Sequence, residues 1–437
     1  MKRNTARILL TCAACLLVAG GAWAGGFSIY EAGARATAMG GAFTATADDG
    51  SAMFYNPAGL AFLQGTALDL NVSPVMPHAK FTGAVGPDGN YATGETEDNV
   101  YPAPGTYFYR NNGNFTWGVG VYAPFGLGVE WKDKNDWIGR RYSYDVYLAT
   151  IYLTPTVAWR LSDRVGFAMG IDAAFTHINY KKRQAIRFGG NADLVDVIDA
   201  EIDADSDLNF TPTAGLMVQA TDWLTFGVMY HHEKNMAIRD GDLTLTNVAP
   251  AALRETVDGQ IAALGGRHHK GKSDLRLPHI WSMGVAFQIT PELRAEFDAV
   301  HFGWSTFDQL VLDFDGEALD QTIIEGYDDA WQYRFGASYD LSPELTVMAG
   351  YVHDDTPQPI ESMTPMLPDG DRNDYSFGLQ WQASPRFTVT AAYMGVDFDE
   401  RSNVVDGVQR TFEPETNPAG SYDSSADIVS IGFGYRF

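Results

Sequence analysis

The chain closes on "DIVSIGFGYRF", in which Val429, Ile431, Phe433, Tyr435 and Phe437 alternate with Ser430, Gly432, Gly434 and Arg436. Successive side chains of a β-strand point to opposite faces, so one face here is aromatic and aliphatic and the other small or polar. The same period runs through "WQYRFGASYDL", where Trp331, Tyr333 and Phe335 alternate with Gln332, Arg334 and Gly336. It recurs in 375–381, 281–289, 224–230, 165–175 and 115–121. A soluble sandwich would turn a polar face outward. A bulky apolar face opposite a glycine- and serine-rich one is the pattern of lipid outside and lumen inside. Backbone groups at membrane depth have no water to bond, so such strands must close into a ring.

The connections count the strands independently. Short turns fall at 111–114, 161–164, 220–223, 289–293, 341–344 and 383–386. Long polar stretches lie between them, near 82–101, 126–140, 183–206, 241–270, 303–326, 355–370 and 399–424. Short and long alternate throughout, the asymmetry of periplasmic turns and external loops. Thirteen connections predict an all-β fold, a fourteen-stranded antiparallel transmembrane β-barrel over 65–437 that ends at Phe437 on the periplasmic side. Residues 141–161 and 270–289 exceed the roughly 9–11 residues that cross a bilayer and are expected to rise above it as a rim.

Residues 1–24 read as a secretory signal peptide: a basic start at Lys2, Arg3 and Arg7, a short apolar run, and Ala22-Trp23-Ala24 as the cleavage site. Both cysteines, Cys12 and Cys15, fall within it, so the exported chain has neither disulfide nor thiolate metal site. A net charge of −25 argues against a nucleic-acid partner, which would need a basic surface.

Residues 25–64 have no dyad. "GARATAMGGAFTATADD" is rich in small residues suited to short helices or tight packing, and "SAMFYNPAGLAFL" carries Pro57, which cannot sit in a central strand. A fourteen-stranded barrel encloses a lumen. An apolar segment with Phe43, Phe54, Tyr55 and Phe62 is expected to fold into it as a hatch, the alternative being a disordered periplasmic tail.

The stretch "GGFSIYEAGARATAMGGAFTATADDGSAMFYNPAGLAFL" resembles the N-terminal hatch of the FadL/OmpP1/TodX family of outer-membrane transporters for long-chain fatty acids and other hydrophobic compounds. The resemblance continues through 122–143, 275–307 and 327–357 to the closing strand. It implies a Gram-negative outer-membrane protein, monomeric, without cofactor or metal, surrounded by outer-membrane lipid and lipopolysaccharide. Its cargo would be a long-chain fatty acid, or by the same route a neutral or aromatic hydrocarbon. By the same resemblance Phe27 and Ile29 lie at the pocket and Phe54, Tyr55 and the Asn56-Pro57-Ala58 motif form the hatch. A kinked third strand, marked by Gly118, Gly120, Pro124 and Gly126, would open the wall near that motif. Ordinary barrel glycines and a loop proline explain the same four residues equally well.

The family's pocket has basic residues, but the entry to strand ten reads Tyr327-Asp328-Asp329, so the nearest inward cation is Arg334, for head group or for an internal ion-pair network. Two rival readings remain. A hydrolase lacks support from a Gly-x-Ser-x-Gly motif, and the pairs His231-His232 and His268-His269 are expected as rim or loop residues. A general diffusion porin would need an unobstructed lumen. Residues 192–207, strongly acidic, are expected as a solvated external loop, with calcium a weaker alternative because the run lacks the order of an EF-hand loop. Residues 247–264 suggest an amphipathic loop helix.

Overall fold

The computed structural model describes residues 26–85, 91–187 and 194–437; the signal peptide expected over 1–24 lies outside the described residues. Fourteen strands form the wall: β1 Thr66–Val85, β2 Tyr101–Asn111, β3 Phe115–Glu130, β4 Asp145–Ser162, β5 Val165–Arg187, β6 Asn209–Thr221 and β7 Leu224–His231. They continue as β8 Ile280–Gln288, β9 Leu293–Phe302, β10 Ala330–Ser342, β11 Leu345–Asp354, β12 Arg372–Ser384, β13 Phe387–Phe398 and β14 Gly420–Arg436. Each pairs antiparallel with the next. The ring closes between β1 and β14, from Ala67↔Arg436 to Gly83↔Gly420.

The alternation decides which face is which. Val429, Ile431 and Phe433 are exposed on the outside while Ser430 between them is buried. Phe335 is exposed and Gln332 and Arg334 are buried. Aromatic pairs mark both ends of the wall, such as Trp223–Phe287 beside the short turns and Tyr230–Trp281 beside the long loops. Such rows sit where ring and polar tip meet membrane and water.

The long connections are more ordered than their polarity suggests. The acidic run is no solvated loop: residues 194–205 form a strand that pairs with the upper half of β5 and with 234–247. Asp199, Glu201 and Asp203 lie on one face, against Ile198, Ala200 and Ile202 on the other, and Asp196 binds Arg141 at 3.0 Å. The expected long strand over 270–289 is broken at Pro278-His279. Its first part, His268–Leu277, leaves the barrel wall to pair with 234–247. The expected loop helix is shorter, Arg254–Ala263, and buries Val257 and Ile261. The acidic strand and the loop helix share a second apolar core with Leu243, Leu312 and Phe314, whereas Leu275 and Leu277 of the 268–277 strand belong to the main one.

Residues 26–64 contain helix α1 (Ala34–Ala38), helix α2 (Ala52–Tyr55) and a 3₁₀ turn over Pro57–Ala61. Nearly all of this stretch is buried against the inner face of the ring. The inward glycines of the wall are where it touches. A Cβ at Gly336 would stand 2.6 Å from the Met39 carbonyl oxygen, and one at Gly378 2.6 Å from Ala38 Cβ.

Candidate functional site

A buried irregular segment carries backbone groups that must find partners. Here the wall's side chains supply them. Asp298 Oδ2 on β9 accepts from both Phe43 N and Thr44 N at 2.9 Å, and Glu296 accepts from Ala45 N at 2.6 Å. Asp69 on β1 accepts from Gly50 N at 2.7 Å, and Asn71 from Ala34 N at 3.0 Å. Tyr107 on β2 donates to the Ala32 carbonyl at 2.8 Å, and Ser73 to the Glu31 carbonyl at 2.9 Å. Arg334 on β10 donates to the Gly41 carbonyl at 3.1 Å and to Gln332, and its guanidinium lies 4.5 Å from the Tyr30 ring centre. Its role in the structure is to hold this segment; it borders neither of the apolar cavities described below.

The residues singled out in the sequence separate into two groups. The first is the turn. Asn56 caps the 3₁₀ helix, its Oδ1 accepting from Ala58 N at 3.1 Å, while its Nδ2 donates to the Thr44 carbonyl at 2.8 Å and to the Leu216 carbonyl of β6 at 3.2 Å. A Cβ at Gly166 on β5 would stand 2.8 Å from the Ala58 carbonyl, so Pro57 and Ala58 are pressed on β5 and β6. Phe54 meets Tyr55 and the Tyr122 ring of β3, at 4.8 and 5.4 Å between centroids. Gly118 and Gly120 face Met53.

The second group lies higher, where the wall is incomplete. β2 and β3 pair from Asn111↔Thr116 up to Gly105↔Tyr122 and no further among the described residues. At that level β3 bulges against β4: Tyr122 opposes Tyr152, but Phe125 opposes Thr150. Pro124 sits in the bulge, where the missing N–H costs no ladder bond. Beyond it, residues 27–29 take the place of β2. Ile29 N donates to the Pro124 carbonyl at 2.8 Å, and Gly126 N donates to the Phe27 carbonyl at 3.0 Å. The ladder resumes above with Glu97 N to the Glu130 carbonyl at 2.7 Å. The gap thus stands beside Phe27 and Ile29, with the Asn56-Pro57-Ala58 turn lying against other strands.

Behind the gap is a cavity of about 190 Å³, bordered by Phe27, Ile29, Tyr101, Phe125, Leu127 and Phe398 among others. A second cavity of about 100 Å³ lies towards the loops, walled by Ile178, Leu275, Leu312, Phe314 and Ile323. Phe27, Leu127, Leu148 and Leu367 border both. Phe27 is held edge-on by Trp304, Phe307 and Phe125, at 4.8, 5.7 and 6.0 Å between centroids. It is the partition between the two spaces.

Sequence reasoning passed over several residues of this site. Residues 355–370, read as a polar loop, fold inward: Met363 and Gln358 are buried, and Leu367 borders both cavities. Met363, Met366 and Leu367 in a nominally polar stretch were the available signal. The cation at the larger cavity is Arg372, whose Nε donates to Asp354 at 2.7 Å. His231, expected at the rim, is buried; it contacts Asp172 at 2.8 Å and the Phe54 carbonyl at 3.1 Å, tying the turn to β5 and β7.

A closed ring of fourteen antiparallel strands with an apolar exterior defines an outer-membrane β-barrel. The chain belongs to the outer membrane protein transport protein family (OMPP1/FadL/TodX), whose model matches residues 15–437. It is an outer-membrane protein of a Gram-negative bacterium. A 47 kDa outer membrane protein of Pasteurella multocida is 25% identical over 448 residues, 98% of each chain. A long-chain fatty acid transport protein of Escherichia coli O6:H1 is 24% identical over 388 residues, covering 82% of this chain and 84% of that protein. Among solved structures, a Pseudomonas aeruginosa FadL homologue superimposes with a TM-score of 0.79 at 21% identity, covering 94% of this chain and all of that one. The Pseudomonas putida toluene transporter TodX does so with 0.70 at 15% identity, covering 94% and 99%.

Proposed function

We propose that residues 25–64 are a hatch sealing the 65–437 barrel, and that hydrophobic compounds pass from the loop-side cavity to the larger one and leave sideways between β2 and β3. The observation that carries this reading is the interrupted ladder, closed by residues 27–29 and backed by an apolar cavity. Displacing three residues by about the length of one strand segment would uncover the gap without breaking a wall-to-wall bond. The lumen is filled by the segment at α1 and α2, which weighs against a general diffusion porin. Transport without catalysis, by a monomer in lipopolysaccharide and lipid, completes the reading.

Long-chain fatty acids and neutral hydrocarbons compete as cargo. Arg372 favours the neutral class. It is buried, bound to Asp354, and shares its cavity with Asp369 and Asp374, so it has no surplus charge for a carboxylate. Identifying the lipid that co-purifies with the protein tests the cargo. Replacing Ala58 with Phe tests the hatch: the segment has no room against β5, so uptake falls while the barrel still assembles. Unchanged growth on a hydrophobic carbon source would count against it.

A further inference from the structure

Side chains span the upper part of the gap, where β2 and β3 are not paired. After the bulge, β3 buries Phe125 and Val129 on its inner face, so Gly126 and Gly128 face outward. Each of these glycines is covered by a side chain from another part of the chain. A Cβ at Gly126 would stand 2.5 Å from Ile29 Cδ1, and one at Gly128 2.3, 2.4 and 2.7 Å from Cζ, Cε2 and Cε1 of Tyr101. Tyr101 opens β2, opposite Val75 of β1, so its ring crosses the gap and lies on β3. The ring ends against Tyr147, the residue of β4 opposite Gly128, at 5.9 Å between centroids and 29° between planes. Beside it Asn99 Nδ2 donates to Glu130 Oε2 at 2.8 Å and to the Tyr101 hydroxyl at 3.3 Å. Phe27, Tyr101, Gly128 and Tyr147 all border the larger cavity, which therefore runs from the partition to this ring. A tyrosine of an interfacial belt anchors a wall. One laid on a glycine of the neighbouring strand covers an opening.

We propose that Tyr101 is an outer shutter of the gap and sets the girth of the molecules that leave by it. The proposal rests on the lateral route given above and deepens it: residues 27–29 close the gap from within, and Tyr101 closes it from the wall. One aromatic contact and one long hydrogen bond hold the ring, so it can turn about χ1 away from Gly128 without breaking a backbone bond. An aromatic contact of this kind favours the closed position by roughly two- to tenfold. A slender chain passes a partly turned ring. A molecule as broad as the ring needs it fully displaced.

The test gives whole cells producing the full-length protein decane and adamantane, two ten-carbon hydrocarbons of different girth. Uptake above that of cells lacking the protein is read by mass spectrometry. The wild type should prefer decane. Tyr101→Ala should lower that preference roughly two- to tenfold by raising adamantane uptake. Gly128→Ala puts a methyl group into the ring and should act in the same direction, so the test survives if one of the two variants does not fold. Tyr101→Phe restores the ring and should restore the preference, which a mere change in the amount of folded protein would not move. No preference in the wild type, or an unchanged preference in both alanine variants, overturns the inference. The lateral route then still stands if linking β2 to β3 across the gap stops decane uptake, and falls as well if decane uptake continues.

Discussion

Asp298→Ala is the most informative single change to the proposed hatch. One carboxylate oxygen accepts two backbone N–H groups, from Phe43 and Thr44, both at 2.9 Å and fully buried. Alanine leaves both donors without a partner. An unpaired buried donor costs about 1–3 kcal/mol, so the attachment of residues 43–44 should weaken by about 2 kcal/mol or more. At 1.4 kcal/mol per tenfold that is a loss of protection of at least roughly thirtyfold. Hydrogen exchange read by mass spectrometry on peptides covering 40–47 measures it, with wall peptides such as 332–340 as the internal reference. Asp298→Asn removes the same charge beside Glu296 but keeps an acceptor, so it should lie within about tenfold of the wild type. Unchanged protection in the alanine variant would refute the argument. Equal loss in the asparagine variant would show that charge, and not the acceptor, holds the segment.

Other consequences follow from neighbouring contacts. Gly350→Ala puts a methyl group into the Gly40 backbone, so it should dislodge α1 and raise ion conductance in planar bilayers while the barrel still assembles. Phe27→Ala removes the side chain between the two cavities at a local cost of about 3–5 kcal/mol, and should speed uptake of a hydrophobic probe in whole cells while loosening residues 26–31 to exchange. Glu325 should make the loop that carries it pH-sensitive. Its carboxyl is raised from 4.5 to about 8, so the opened loop ionises first as pH rises. Closure is therefore strongest below about 4.5 and declines up to about 8, seen as exchange in 320–328 rising faster than the intrinsic rate.

The barrel was legible because its signal is local and repeated. The dyad of β8, β10 and β14 needs no partner to be seen, and the alternation of short and long connections counts the strands without reference to their pairing. The gap between β2 and β3 was half legible: Pro124 marked the bulge, but only long-range register shows that residues 27–29 replace β2 there. The external strands were missed because charge masked their period. Asp199, Glu201 and Asp203 alternate with Ile198, Ala200 and Ile202 as regularly as any wall strand. Arg334 and Arg372 are both inward cations on one face of their strands, and nothing in their local sequence says which one reaches a cavity. That depends on where the leading segment lies.

On the proposed route cargo leaves through the gap in the wall between β2 and β3. Residues 25–437 carry no cysteine, so in a chain with Cys12→Ala and Cys15→Ala the pair Ala103→Cys on β2 and Gly126→Cys on β3 can be linked across the gap by a short bifunctional thiol reagent. Uptake of a radiolabelled hydrophobic probe should stop on linking and return when a reducible linker is cleaved. Uptake that continues at the unlinked rate with the gap stapled shut would contradict the account.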